Sequence, residues 1–272
     1  MSKKKYQGKV AWITGGGSGI GEAIALELAR QGARVAVSGR RLEKLEETVA
    51  RIQAVGGKGL AVVCDVTEEQ QIIEAVDQIV TEWGRLDVAI ANAGFGVGGP
   101  IEKLDADDWR RQFDTNVVGL AITVKHALPE LKKVGGRVAL MGSVAGTITA
   151  PGTIAYNASK FAVRGIGLTL AIELVGTGVS CTTIQPGFVE SEIGQVDNQG
   201  QFRSDWKDTR PKMIMWSAER AARVCVDAIW DREREFTFTG HGKLGAFLGK
   251  HTPGVVYHAF AGAKRVQSLL GK

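Results

Sequence analysis

The stretch that most restricts this chain runs from Lys9 to Gly21, KVAWITGGGSGIG. Residues 10–13 read as a short apolar strand, and residues 22–31 as an amphipathic helix with Ile24, Leu26, Leu28 and Ala29 on its apolar side. The turn between them carries almost no side chains. Without Cβ atoms a backbone takes positive φ angles and comes close to a ligand. The helix start behind such a turn offers unpaired N–H groups at the positive end of a dipole, a setting that suits a pyrophosphate. A glycine-rich turn alone is ordinary. After a strand, before a helix and at the head of an alternating pattern, it points to a dinucleotide.

The alternation continues along the chain. Residues 34–38, 60–64, 86–91, 137–141, 179–184 and 235–239 read as further strands. Helices are predicted over 42–54, ended by Gly56-Gly57, and from an N-cap at Thr67 to about Glu82, with Glu69 and Gln70 near capping-box register. Others follow from Asp105 or Asp107 toward Leu128, over 156–175 and over 218–230. Thr252-Pro253 looks like an N-cap and N1 pair for a last helix carrying Val255, Val256, Ala259, Phe260, Ala263, Val266 and Leu270. Short strands alternating with helices imply βαβ units and a parallel sheet. The strands are near-continuous apolar runs, as when helices cover both faces. The expected fold is therefore α/β: a doubly wound, Rossmann-like parallel sheet of about seven strands. No repeat or linker divides it, so residues 1–272 read as one dinucleotide-binding catalytic domain. Residues 192–217 lack periodicity but hold Phe202, Trp206, Met213, Ile214, Met215 and Trp216, and are expected to form a substrate lid. Residues 241–272 form a basic C-terminal extension.

An apolar content of 44% is enough for a sizeable core, yet no apolar run nears the ~20 residues of a spanning helix. The charged start, Met1-Ser-Lys-Lys-Lys-Tyr6, does not resemble a signal peptide. Cys64, Cys181 and Cys225 are few and scattered, which fits free thiols in a reducing, cytoplasmic setting. The net charge of +5 resides in the tail: from His241 onward there are Lys243, Lys250, Lys264, Arg265 and Lys272 and no Asp or Glu. Charge spread this thinly makes no nucleic-acid footprint. A solvated or anion-facing tail is one reading, and a membrane surface is the sharper one. His126, His241, His251 and His258 lack metal-ligand spacing, so no metal is expected. Asp107-Asp108 reads as helix-start charge rather than a carboxylate pair.

In such sheets ligands bind beyond the carboxyl ends of the strands. The glycine turn, Arg40, Asp65, Asn92, Ser143 and Pro186-Gly187 each follow a predicted strand and together outline one crevice. Tyr156 and Lys160 stand four apart on a predicted helix, so both side chains are expected to point into one cleft. A phenol ordinarily titrates near ~10, so acid–base work at neutral pH asks for about 4 kcal/mol of help. An ammonium ~4 Å away supplies ~4 kcal/mol at an effective dielectric of ~20. Lys160 is thus expected to pull the Tyr156 phenol down and make it a proton donor and acceptor.

Thr14-Gly15-x-x-x-Gly19-x-Gly21, Asn92-Ala93-Gly94, Asn116, Ser143, Tyr156-x-x-x-Lys160 and Pro186-Gly187 resemble, in order and spacing, the short-chain dehydrogenase/reductase family over roughly residues 8–191. The resemblance implies a hydride transfer between a nicotinamide and a carbonyl or secondary alcohol. Gly15, Gly19 and Gly21 would shape the pyrophosphate turn, lined by Ser18 and Ile20; Asp65 and Val66 would hold the adenine edge; Asn92 and Gly94 would border the adenosine ribose. Tyr156 would exchange a proton with the substrate oxygen, Ser143 would hydrogen-bond that oxygen, Lys160 would also hold the nicotinamide ribose, and Asn116 would hold a relay water. Pro186, Gly187 and Val189 would flank the nicotinamide carboxamide, with Ser191 where the family often has Thr.

Cofactor choice follows from charge. A carboxylate ~20 positions past the glycine turn would bind the ribose 2′-OH and repel a 2′-phosphate. Here that place is Gly39-Arg40-Arg41, and a guanidinium fork suits phosphate. NADP(H) is favoured over NAD(H), mainly through Arg40; the other reading is that Arg40 or Arg41 simply begins the next helix as a solvated charge. Phe95, Val97, Phe188, Ile193 and the lid suggest a fairly apolar substrate, unless they are the lid's own core. The competing functions are a non-catalytic NADP(H) sensor, which would not need Ser143, and a membrane-surface reductase of lipid-like substrates. The resemblance also implies a homo-oligomer, formed through helices such as the one after Tyr156.

Overall fold

The computed structural model describes residues 4–208 and 210–269, and side chains through residue 262. Seven parallel strands form one sheet in the order β3-β2-β1-β4-β5-β6-β7. They are β1 (Val10–Thr14), β2 (Arg34–Gly39), β3 (Lys58–Val63), β4 (Val88–Ala91), β5 (Arg137–Met141), β6 (Ser180–Gln185) and β7 (Glu235–Thr237). Among the described residues the helices are α1 (Gly19–Arg30), α2 (Leu42–Ala54), α3 (Glu69–Trp83), α4 (Ala106–Phe113), α5 (Leu120–Val134), α6 (Ile154–Glu173), α7 (Ala218–Trp230), α8 (Gly240–His251) and α9 (Pro253–Leu269).

Strand β1 shows why the sheet is covered on both faces. Side chains alternate along a strand. Ala11 and Ile13 join the core beneath α1 and α7, while Val10 and Trp12 join the core on the other face, beside Ile72, Ile79, Leu131 and Val163. The Trp12 indole donates to Ser38 Oγ at 2.9 Å, so its polar edge is satisfied in the core. Chain order reverses between β1 and β4, and the crevice opens there, above Thr14 and Ala91.

Some boundaries depart from expectation. Thr67 is not the cap of α3: Glu68 takes that position without a side-chain cap bond, and Thr67 instead donates to Asp65 Oδ1 through its N–H at 3.0 Å and its hydroxyl at 2.8 Å. Asp105 does cap α4 through a reciprocal capping box with Asp108, which accounts for the local acidic charge. The long helix after it is not continuous α-helix. A π-helical turn, Asp114–Gly119, interrupts it around Asn116, and such turns occur often at functional sites. Helix α8 lies where the sequence suggested only a tail. Ala263, Lys264, Arg265, Val266, Leu270 and Lys272, expected to extend the last helix and its charge, lie outside the described side chains. No described helix is long and apolar enough to cross a membrane.

Candidate active site

Gly15 and Gly19 adopt φ of 65° and 56°, which an L side chain would resist, and turn the backbone from β1 into α1. Gly21 is needed for space: a Cβ there would collide with the Gly15 carbonyl and the Asn92 side chain. Ser18 stands at the N-cap of α1 in extended conformation, and its side chain makes no capping bond. Ile20 packs against the core under the turn. Asn92 fixes the turn from the neighbouring strand, donating to Thr14 O at 2.9 Å and Gly15 O at 3.1 Å. Gly21→Ala is expected to weaken dinucleotide binding at least tenfold and to cost about 1–3 kcal/mol of stability through overpacking; a dinucleotide titration and a thermal melt check both.

Asp65 folds back on Thr67, and the buried Val66 beside it backs onto Gly119 of the π turn. Gly94 closes against the Asn116 amide. That amide is engaged: it accepts from Phe95 N at 3.1 Å and donates to Phe95 O at 2.9 Å and Ser159 Oγ at 3.2 Å. The Asn116 side chain therefore ties the loop after β4 to the helix layer.

On the other side of the crevice, Ser143 caps a short turn, Val144–Gly146, by accepting from Ala145 N at 3.1 Å. Its hydroxyl lies near enough to Tyr156 to pull against the rise in the phenol's pKa. Tyr156 lies in the first turn of α6, and the Lys160 Nζ sits 5.7 Å from the centre of its ring. The two side chains share one cleft, as the spacing implied. Their electrostatics differ from the expectation. Burial raises the Tyr156 pKa, against the opposing pull of the Ser143 hydroxyl and of the Arg210 charge. Lys160 donates to Met141 O at 2.8 Å, and burial brings its own pKa down to about 8. The ammonium does not overcome the desolvation of the phenol. Burial outweighs both opposing influences, and the Arg210 charge is one that no sequence motif singled out.

Pro186 O accepts from Val144 N at 2.9 Å, which ties the loop after β6 to the Ser143 turn. Arg210 clamps that loop by donating to Val189 O at 3.0 Å and Ser191 O at 2.8 Å, while Asp208 holds the guanidinium from behind. Ser191 lies against Gly19, within reach of the turn. Residues 192–208 and 210–217 lie across the crevice. Glu192 pairs with Arg41 at 2.9 Å, Gly200 O accepts from Arg40 at 2.9 Å, and Asn198 exchanges two hydrogen bonds with Gly98. Phe95 and Val97 are buried with Ala155 and pack against Val196, so they seat this segment rather than line an open pocket. Trp216 likewise packs on Phe238, at 5.6 Å between ring centres. Phe188, Phe202, Trp206, Met213 and Ile214 stay exposed.

Glycine turn, stapling asparagine, serine, tyrosine and lysine thus meet at the carboxyl edge of a doubly wound sheet. Residues 9–201 match the family model described as short chain dehydrogenase. The chain belongs to the short-chain dehydrogenase family. It is 36% identical over 187 residues to a hydroxynaphthalene reductase of Aspergillus fumigatus, covering 68% of each chain. It is 38% identical over 238 residues to 11-beta-hydroxysteroid dehydrogenase 1A of Arabidopsis thaliana, covering 85% of this chain and 68% of that one. A short-chain dehydrogenase/reductase from Burkholderia phymatum, solved in complex with NAD, superposes with a TM-score of 0.77 at 29% identity, over 85% of this chain and 89% of that one. One from Burkholderia cenocepacia, solved in complex with NADP, also gives 0.77, at 27% identity over 88% and 99%. This short-chain dehydrogenase is accordingly an oxidoreductase of alcohol and carbonyl groups of small molecules that uses a nicotinamide cofactor.

Proposed function

We propose that the protein is an NADP(H)-dependent enzyme interconverting a fairly apolar ketone and its secondary alcohol. The observation that carries this is the meeting of Ser143, Tyr156 and Lys160 in one cleft beside the glycine turn. A nicotinamide dinucleotide bound there would supply or take up the hydride. Gly15, Ser18, Gly19, Ile20 and Gly21 would hold its pyrophosphate, Asp65, Val66, Asn92 and Gly94 the adenosine, and Pro186, Gly187, Val189 and Ser191 the nicotinamide end. Tyr156, kept protonated by burial, is suited to donate its proton to a substrate oxygen during reduction. Ser143 would hold the same oxygen, and Lys160 would tie the ribose while staying charged up to about pH 8. Asn116 serves this site by fixing the Phe95 backbone; water binding through its amide would have to displace those bonds.

NADP(H) is preferred to NAD(H) because Arg40, not a carboxylate, follows the end of β2. The Gly200 carbonyl on Arg40 and Glu192 beside it on Arg41 would give way to a 2′-phosphate, so cofactor and lid compete for the same cations. The hydroxynaphthalene and hydroxysteroid substrates named for the relatives favour a fused-ring substrate. A turnover scan with NADPH over steroids, fatty-chain ketones, sugars and quinones tests this; fused-ring ketones are expected to react fastest, and a preference for sugars would contradict it.

Two surfaces bear on partners. Ile154, Phe161, Leu168 and Ile172 along α6, and Val175 just beyond it, are exposed, which suits a homo-oligomer. Leu244 and Phe247 on α8 and Val255, Tyr257 and Phe260 on α9 are also exposed, on an extension without acidic residues, which suits peripheral contact with an anionic membrane. The buried free thiols Cys64, Cys181 and Cys225 suit a reducing, cytoplasmic location. Sedimentation of the full chain, alone and with phosphatidylserine vesicles, reads both surfaces. A dimer or tetramer in the first run and co-pelleting in the second are expected; a monomer, or no co-pelleting at low salt, would contradict the respective reading.

A further inference from the structure

The C-terminal extension touches the nicotinamide end of the site through three features. Thr239, at the N-cap of α8, has φ of 70°. For a β-branched residue this is a strained conformation, and it is buried. Its hydroxyl oxygen accepts from Gly242 N at 3.0 Å and lies 3.1 Å from His241 Nε2. His241 Nε2 in turn accepts from the Phe188 N–H at 2.8 Å, and its ring stacks on Phe188 with centres 5.4 Å apart. A Cβ on Gly187 would collide with both Thr239 and His241, so the loop after β6 lies directly on this pair. Below it, the glycine face of α8 seats the Ser143 turn: Gly242 and Gly245 face Val144, and Gly249 closes on the Thr147 carbonyl.

We infer that His241 is a positioning residue that sets the Gly187–Phe188 backbone at the nicotinamide end of the cofactor site. This rests on the dinucleotide reading above. The sense of the hydrogen bond fixes the tautomer. Because Phe188 N–H is a donor, Nε2 is unprotonated and the ring's proton is on Nδ1. A protonated imidazole has two donors and no acceptor, so acid breaks the bond. Burial lowers the His241 pKa, which protects the neutral form at physiological pH. The charged groups on the surrounding elements include Lys243 on α8, which is exposed, Glu190 on the loop, also exposed, Arg210, which donates to Val189 O of that loop, and Glu235 on β7, paired with Arg164 and Lys250.

The test is a tryptophan-fluorescence titration of wild type, His241→Phe and His241→Gln. The probes are NADP⁺ and 2′,5′-ADP, which lacks the nicotinamide end; if the wild type binds only NAD⁺, the pair becomes NAD⁺ and 5′-ADP. His241→Phe keeps the stacking and loses the acceptor. It is expected to weaken the dinucleotide about tenfold while leaving the fragment within about twofold. His241→Gln keeps an acceptor and is expected to bind the dinucleotide within about twofold of wild type. Between about pH 7.5 and about pH 5.5, the wild-type ratio of dinucleotide to fragment affinity should fall severalfold, and that of His241→Gln should stay level. The inference is overturned if His241→Phe binds the dinucleotide as wild type does, or weakens dinucleotide and fragment alike. A wild type that binds no dinucleotide at all would instead overturn the functional reading on which it stands.

Discussion

Replacing Tyr156 with Phe is expected to lower kcat by roughly 10²–10⁴-fold, the range for losing a positioned proton donor, while the dinucleotide affinity stays within about twofold. The substitution removes one hydroxyl and keeps the ring against Lys160. In the proposed mechanism Ser143 and Lys160 would remain beside the substrate, but neither would replace the proton: Ser143 is a far weaker acid, and Lys160 is turned to the Met141 carbonyl. The raised pKa adds a signature in pH. Reduction needs the protonated phenol, so its rate should be flat through neutral pH. Oxidation needs the phenolate, so its rate should climb into the alkaline range. Steady-state rates in both directions against pH, for wild type and Tyr156→Phe, measure this. Retained turnover in the variant would remove Tyr156 from the chemistry.

Arg40→Asp should reverse the cofactor preference. A hydrogen bond to a charged group is worth about 1.5–3 kcal/mol, so losing the guanidinium weakens a 2′-phosphate by about 10–10²-fold, and the new carboxylate adds repulsion. The same carboxylate can accept from the two ribose hydroxyls of NADH. The substitution also releases the Gly200 carbonyl, while the Arg41–Glu192 pair stays in place. The Michaelis constants for NADPH and NADH should therefore move in opposite directions. An equal change in both would mean that Arg40 is only a lid contact.

The sheet and much of the crevice were legible in the sequence because several signals agreed locally. Helix α2, strand β5 and helix α7 fall at the predicted residues, each bounded by glycine or charge that ends the pattern. Strand-end residues then had to converge, since a parallel sheet brings all its carboxyl ends to one edge. What was not legible depends on packing. Helix α8 contains Gly240, Gly242, Gly245 and Gly249, and each glycine disfavours a helix by about 1 kcal/mol. It forms because Gly242, Gly245 and Gly249 let it press against the Ser143 turn. The π turn at Asn116 is one widened turn between two helical segments, too short for a periodicity to reveal. The spacing of Tyr156 and Lys160 placed both in one cleft but could not show that Lys160 donates to the Met141 carbonyl, or that burial raises the pKa of the phenol.

The most direct measurement is isotope transfer. The enzyme is given dinucleotide reduced with deuterium at nicotinamide C4 and a panel of fused-ring ketones, and the alcohols are analysed by mass spectrometry. Deuterium at the carbinol carbon of at least one product, lost on Tyr156→Phe and greater with NADPH than with NADH, is the predicted result. A protein that binds the dinucleotide yet yields no deuterated alcohol from this panel or any other carbonyl class would be a sensor rather than a catalyst, and would contradict the assignment.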